Sequence, residues 1–146
     1  MSDELGKRID ERLAKERARA EAAAAQRRMA EEIAQEVPGQ WARAIKGLYE
    51  AIPAASRTFA EKGLQHHYFK PRPLRQAKLD NHARILIYHN DTGLFGSISR
   101  TVITVGLDGQ VTVRHRSFSR AFAVSDIKRE DWDVLLADIY AHDQPE

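Results

Sequence analysis

The chain has 146 residues, with 23 Lys plus Arg, 21 Asp plus Glu and no cysteine, for a formal net charge of +2. Disulfide frameworks and cysteine-zinc sites are excluded. Apolar runs no longer than four residues, such as 22–25 and 85–88, fall far short of the roughly 20 a transmembrane helix needs. The charged opening Met-Ser-Asp-Glu-Leu-Gly-Lys-Arg lacks the apolar core of a secretory signal, so the expected location is a reducing cytoplasm and no membrane partner is expected.

The near-neutral total hides an uneven distribution. Residues 1–36 carry 8 basic and 9 acidic side chains, residues 57–120 carry 11 and 4, and residues 121–146 carry 2 and 7. The basic stretch also holds five of the six histidines, so acidification would make it more positive.

From Ser2 to Glu36 the chain has no proline and a single glycine, and is dominated by Ala, Glu, Lys, Arg and Gln, which lose little side-chain entropy in a helix. Pairs four residues apart, such as Asp3/Lys7, Glu11/Lys15 and Arg28/Glu32, add a few tenths of a kcal/mol each. A long helix over residues 1–37 is the expectation. Its seven-residue seam runs Ile9, Glu16, Ala23, Ala30, Val37. That seam is mostly alanine and is broken by a charge, so coiled-coil self-association and a solvated extension are both open.

Pro38-Gly39 reads as a stop, with an α+β domain over residues 38–146. Trp41, Ile45, Leu48, Tyr49 and Ile52 form one helical face. Pro53 is expected to end or kink that helix, with a second short helix over 54–62 closed by Gly63. Pro71 and Pro73 exclude a helix over 65–82, which reads as an irregular basic-aromatic segment. Strand signals follow at Arg84–Tyr88, apolar on both faces, and beyond the turn Asn90-Asp91-Thr92-Gly93.

The next hairpin can be placed by its turn chemistry. A two-residue Asp108-Gly109 turn would mix apolar and polar residues on each face. A three-residue loop Leu107-Asp108-Gly109, with Gly109 left-handed, pairs Val105 with Val111 and Ile103 with Val113. The other face then carries Thr104 opposite Thr112, Val102 opposite Arg114 and Arg100 opposite Arg116. A further strand is expected over 118–124. A C-terminal helix over 128–141 has a Trp132, Leu135, Leu136, Ile139, Tyr140 stripe, with Glu130, Asp131 and Asp133 in its first turn, where the helix dipole favours acids. The fold class is α+β: a long N-terminal helix, then a three- to four-stranded antiparallel sheet packed against an amphipathic helix and a C-terminal helix.

Two features bear on function. Opposed arginines on a solvent face repel unless an anion lies between them, so Arg100, Arg114, Arg116 and Arg120 form a candidate basic surface, unless the acids of the C-terminal helix neutralise it. Tyr68 and Phe69 beside Lys70, Arg72, Arg75 and Lys78 combine stacking faces with phosphate-pairing cations, unless the aromatics plug the core. Adjacent His66 and His67 diverge on regular structure, and no metal site or cofactor is expected.

The leading functional expectation is a non-enzymatic module engaging nucleic acid or an acidic protein surface. A metal-independent ribonuclease or toxin using His82, His89 or His115 is the alternative from another class. A third reading is a structural or inhibitory protein-protein interaction module acting through the long helix.

Overall fold

The computed structural model describes residues 2–74, 82–91 and 96–144, Ser2 by its backbone only. It is α+β: helix α1 (Ser2–Glu61), five strands β1 (His67–Pro73), β2 (Ala83–Asn90), β3 (Ser97–Val105), β4 (Gln110–His115) and β5 (Phe118–Ala123), and helix α2 (Arg129–His142). The sheet has five strands rather than three or four, and it is an antiparallel meander in chain order. No helix among the described residues is long and apolar enough to cross a membrane.

Helix α1 is 60 residues long and runs through both Pro38 and Pro53, a contour of roughly 90 Å at about 1.5 Å per residue. The expected stop at Pro38, an end at Pro53 and the separate short helix over 54–62 are therefore corrected. The reason is packing. A proline inside a helix costs about 3 kcal/mol, but Val37, Trp41, Ala44, Ile45, Leu48 and Ala51, which flank the two prolines, are all buried. Each large apolar side chain so buried contributes about 1.5–3 kcal/mol, so tertiary contact outweighs the local signal. N-terminal to Val37 the side chains from Asp3 to Glu36 are exposed, apart from the half-buried Gly6, Ala25 and Ala34.

The segment expected to be irregular contains strand β1. Its prolines are tolerated because β1 is the edge strand, where missing donors are least costly. The Leu74 amide donates to the Ala83 carbonyl. Given the alternation of an antiparallel ladder, this places Pro71 and Pro73 with their nitrogens toward the open edge.

The β3–β4 hairpin adopts the expected register, Val105 with Val111 and Ile103 with Val113, and Gly109 has φ +82°. Both helices lie on one face of the sheet. The core joins Val37, Trp41, Leu48 and Phe59 of α1 and Trp132, Leu135, Leu136 and Ile139 of α2 to Phe69, Leu86, Tyr88, Ile103, Val105, Val111 and Val113. Among the described residues the opposite face carries no helix.

Candidate nucleic-acid interface

Strand alternation decides which side chains reach the uncovered face. Adjacent Tyr68 and Phe69 take opposite sides. Phe69 enters the core at 5% exposure and stacks on Phe59, so its assignment to a binding surface is corrected. Tyr68 stays outside, its ring 4.4 Å from that of His89 and parallel to within 6°. Lys70 and Arg72 follow Tyr68 at two-residue intervals and share its face.

Cross-strand register completes the face. One row runs Tyr68, His89, Ile98; the next Lys70, Ile87, Arg100; the third Arg72, Ile85, Val102, Arg114, Ser119; the fourth Ala83, Thr104, Thr112, Ala121. Two signals that were separate in the sequence thus meet on one surface: Lys70 and Arg72 from β1, Arg100 from β3 and Arg114 from β4. All four are exposed, and among the described residues none makes an ion pair. Arg75 and Lys78 lie outside the described residues.

Arg120 is corrected. It shares the inner face with Phe118 and Phe122 through its pairing with Val113, is ion-paired with Asp138 of α2, and its guanidinium lies 4.9 Å from the Phe118 ring centroid. Arg116 lies beyond the end of β4, so the β3–β4 ladder stops at Val102–Arg114 and Arg100 has no strand partner there. Arg116 nevertheless lines a surface depression with Arg100, Ile98 and Ser99, and its exposed guanidinium is 3.7 Å from Asp143.

Acids of the C-terminal segment therefore meet two of the four arginines expected on the basic surface, Arg120 and Arg116, but not Arg100 or Arg114. Asp138 takes Arg120, Asp143 lies near Arg116, Asp133 faces Arg129 on its own helix, and Asp131 accepts from the Lys128 amide at the helix start. Among the described residues, acids near this face stand at its ends: Asp91 after β2, and Asp108 in the β3–β4 turn. A hydrogen bond to the Asp91 carboxylate raises the Tyr68 pKa above its ordinary value, with desolvation adding to the shift.

The histidines divide by position. His115 is buried, its Nδ1 2.9 Å from Thr101 Oγ1 and its Nε2 2.9 Å from Asp143 Oδ1, and the Ser99 hydroxyl donates to the other Asp143 oxygen. Asp143 has a side chain 2% exposed, so this chain of polar groups ties the end of α2 to β3 and β4 inside the protein. A second internal contact joins His67 Nδ1 to the Tyr88 hydroxyl, which also accepts from Gln144. His82, just before β2, and His89, near its end, sit seven residues apart, about 23 Å at the rise of a strand, too far to act as an acid and base on one phosphate. Among the described residues no group of three or more His, Asp or Glu is placed to hold a metal ion.

Sequence reasoning placed Val102 on this face, opposite Arg114, but missed the rest of its apolar part: Ile85, Ile87 and Ile98. Ile85 and Ile87 were legible as outward in a strand apolar on both faces. Ile98 precedes the part of β3 that the turn chemistry fixed. A scan of protein-family models, a search of curated proteins and a search of solved structures each found no match for this chain.

Proposed function

We propose that this protein is a non-enzymatic nucleic-acid-binding module whose contact surface is the helix-free face of its sheet. The observation that carries this reading is the gathering of Lys70, Arg72, Arg100 and Arg114, from three strands, on one exposed face without an acidic partner among the described residues. Four cations so placed neutralise phosphates and release their counterions, which gives binding that is strong at low salt and falls as salt rises. Arg116, beside Arg100 at the margin, adds a fifth charge partly offset by Asp143.

The test is electrophoretic or anisotropy titration of a mixed-sequence oligonucleotide at several salt concentrations. Binding should weaken linearly on a log-log plot, with a slope that falls by about 0.7–0.9 for each phosphate-contacting cation removed. Charge reversal of Arg100 and Arg114 together should remove most of the affinity. Absence of any complex at low salt, or affinity indifferent to salt, overturns the reading.

A further inference from the structure

The middle of the uncovered face has a composition that phosphate contacts alone do not use. Half-buried Ile85 and Val102 lie between Arg72 and Arg114, and Ile87, buried at 8% exposure, lies between Lys70 and Arg100. At one end, beyond the stacked Tyr68 and His89 rings, Ile98 stands 60% exposed. A sheet face turned to water is ordinarily polar at most such positions. Here the charges stand around an aliphatic and aromatic floor.

Resting on the nucleic-acid reading above, we propose that this face binds single-stranded RNA, with unpaired bases laid on the apolar floor and phosphates held by Lys70, Arg72, Arg100 and Arg114. Five strands at about 4.8 Å spacing make a surface roughly 19 Å across, wider than the roughly 12 Å major groove of B-DNA. The deep, narrow major groove of an RNA helix is still less accessible. A duplex can touch only the cations and leaves the exposed parts of Ile85, Val102 and Ile98 without a partner. A single strand exposes the π-faces of its bases to them and to Tyr68, the arrangement in which base stacking contributes.

The sugar is addressed by a second feature of the same face. Next to Arg114 lies a depression of about 470 Å³ lined by Val102, Thr104, Gln110 and Thr112, with Asp108 at its margin. Threonine hydroxyls both donate and accept, a glutamine amide does the same, and a carboxylate accepts. These groups suit a ribose 2′-hydroxyl, which a deoxyribose lacks.

The experiment is fluorescence anisotropy on the full chain at low salt with three labelled probes: an oligouridine of roughly 12 nucleotides, an oligothymidine of the same length, and an RNA duplex of the same length. The oligouridine should bind about tenfold tighter than the duplex and measurably tighter than the oligothymidine. Tyr68→Ala and Ile98→Ala should each weaken oligouridine binding at least about fivefold, the scale of one lost base contact, and leave duplex binding unchanged. Thr104→Val with Thr112→Val should bring oligouridine affinity down to that of oligothymidine. Equal affinity for strand and duplex, or no effect of Tyr68→Ala and Ile98→Ala, overturns the single-strand inference while salt-sensitive binding keeps the underlying reading. Oligothymidine binding as tightly as oligouridine overturns the choice of RNA. Failure of all three probes to bind removes the nucleic-acid reading itself.

Discussion

The indole Nε1 of Trp132 donates to the carbonyl of Ala44 at 2.7 Å, fixing α2 across the buried part of α1. Gly47 lies beneath that ring: a Cβ placed there would be 3.0 Å from Trp132 Cδ1 and 3.3 Å from Nε1. The buried, hydrogen-bonded indole has little room to withdraw, so Gly47→Ala should lose about 1–2 kcal/mol by overpacking despite the gain in helix propensity. Gly39, in the same helix, has nothing within 4 Å of its would-be Cβ. Gly39→Ala should instead gain about 0.5–1 kcal/mol. Urea denaturation of the two variants checks the opposite signs.

Pro38 is exposed in the interior of α1 and leaves the Ala34 carbonyl without its usual helical donor. Pro38→Ala restores that donor, and stability should rise by up to about 3 kcal/mol. An unchanged or lower denaturation midpoint would mean that the proline is compensated locally.

Asp143 serves His115, Ser99 and Arg116 at once. Asp143→Ala leaves His115 Nε2 and the Ser99 hydroxyl buried without this acceptor, at about 1–3 kcal/mol for each group, and a thermal melt should show the loss. Nucleic-acid affinity should hold or rise slightly, since Arg116 is released from its acid.

Arg120 and Arg114 make a matched pair of cations on opposite faces. Arg114→Ala should weaken nucleic-acid binding and lower the salt slope by about 0.7–0.9 with little change in stability. Arg120→Ala should do the reverse, leaving Asp138 without its partner and the binding curve unmoved. Parallel denaturation and anisotropy titrations on the two proteins separate the roles.

Burial, and secondarily the neighbouring His66, hold the His67 pKa below its ordinary value of 6.5. The unfolded chain therefore takes up a proton at a higher pH than the folded one. This group's contribution to stability is fully present above about pH 6.5 and is lost as pH falls from there toward the depressed folded value. His67→Gln keeps a polar partner for Tyr88 without the titration. Denaturation midpoints from about pH 7.5 to 5 should decline less steeply in that variant than in the parent.

What the sequence disclosed depended on how local each determinant was. Leu107-Asp108-Gly109 carries its own geometry, with Gly109 at φ +82°, so the β3–β4 register was legible from a few residues. The Trp132 stripe was legible for the same reason. The continuity of α1 was not, because Pro38 and Pro53 are strong local signals and the burial that overrides them comes from residues up to a hundred positions away, such as Trp132. The site was half legible. Arg100 and Arg114 followed from the hairpin, whereas Lys70 and Arg72 join them only once β1 pairs with β2. Arg120 was misplaced although Phe118 and Phe122, two residues to either side, gave the inward parity.

Strand β1 ends on Pro71 and Pro73, whose nitrogens point away from β2. An incoming strand needs donors along that border, and at these two positions there are none, so the meander resists extension by another chain at this margin. Molecules presenting their own β-strand are thereby disfavoured at the boundary adjoining Lys70 and Arg72, and recognition there is left to ligands that need no backbone pairing.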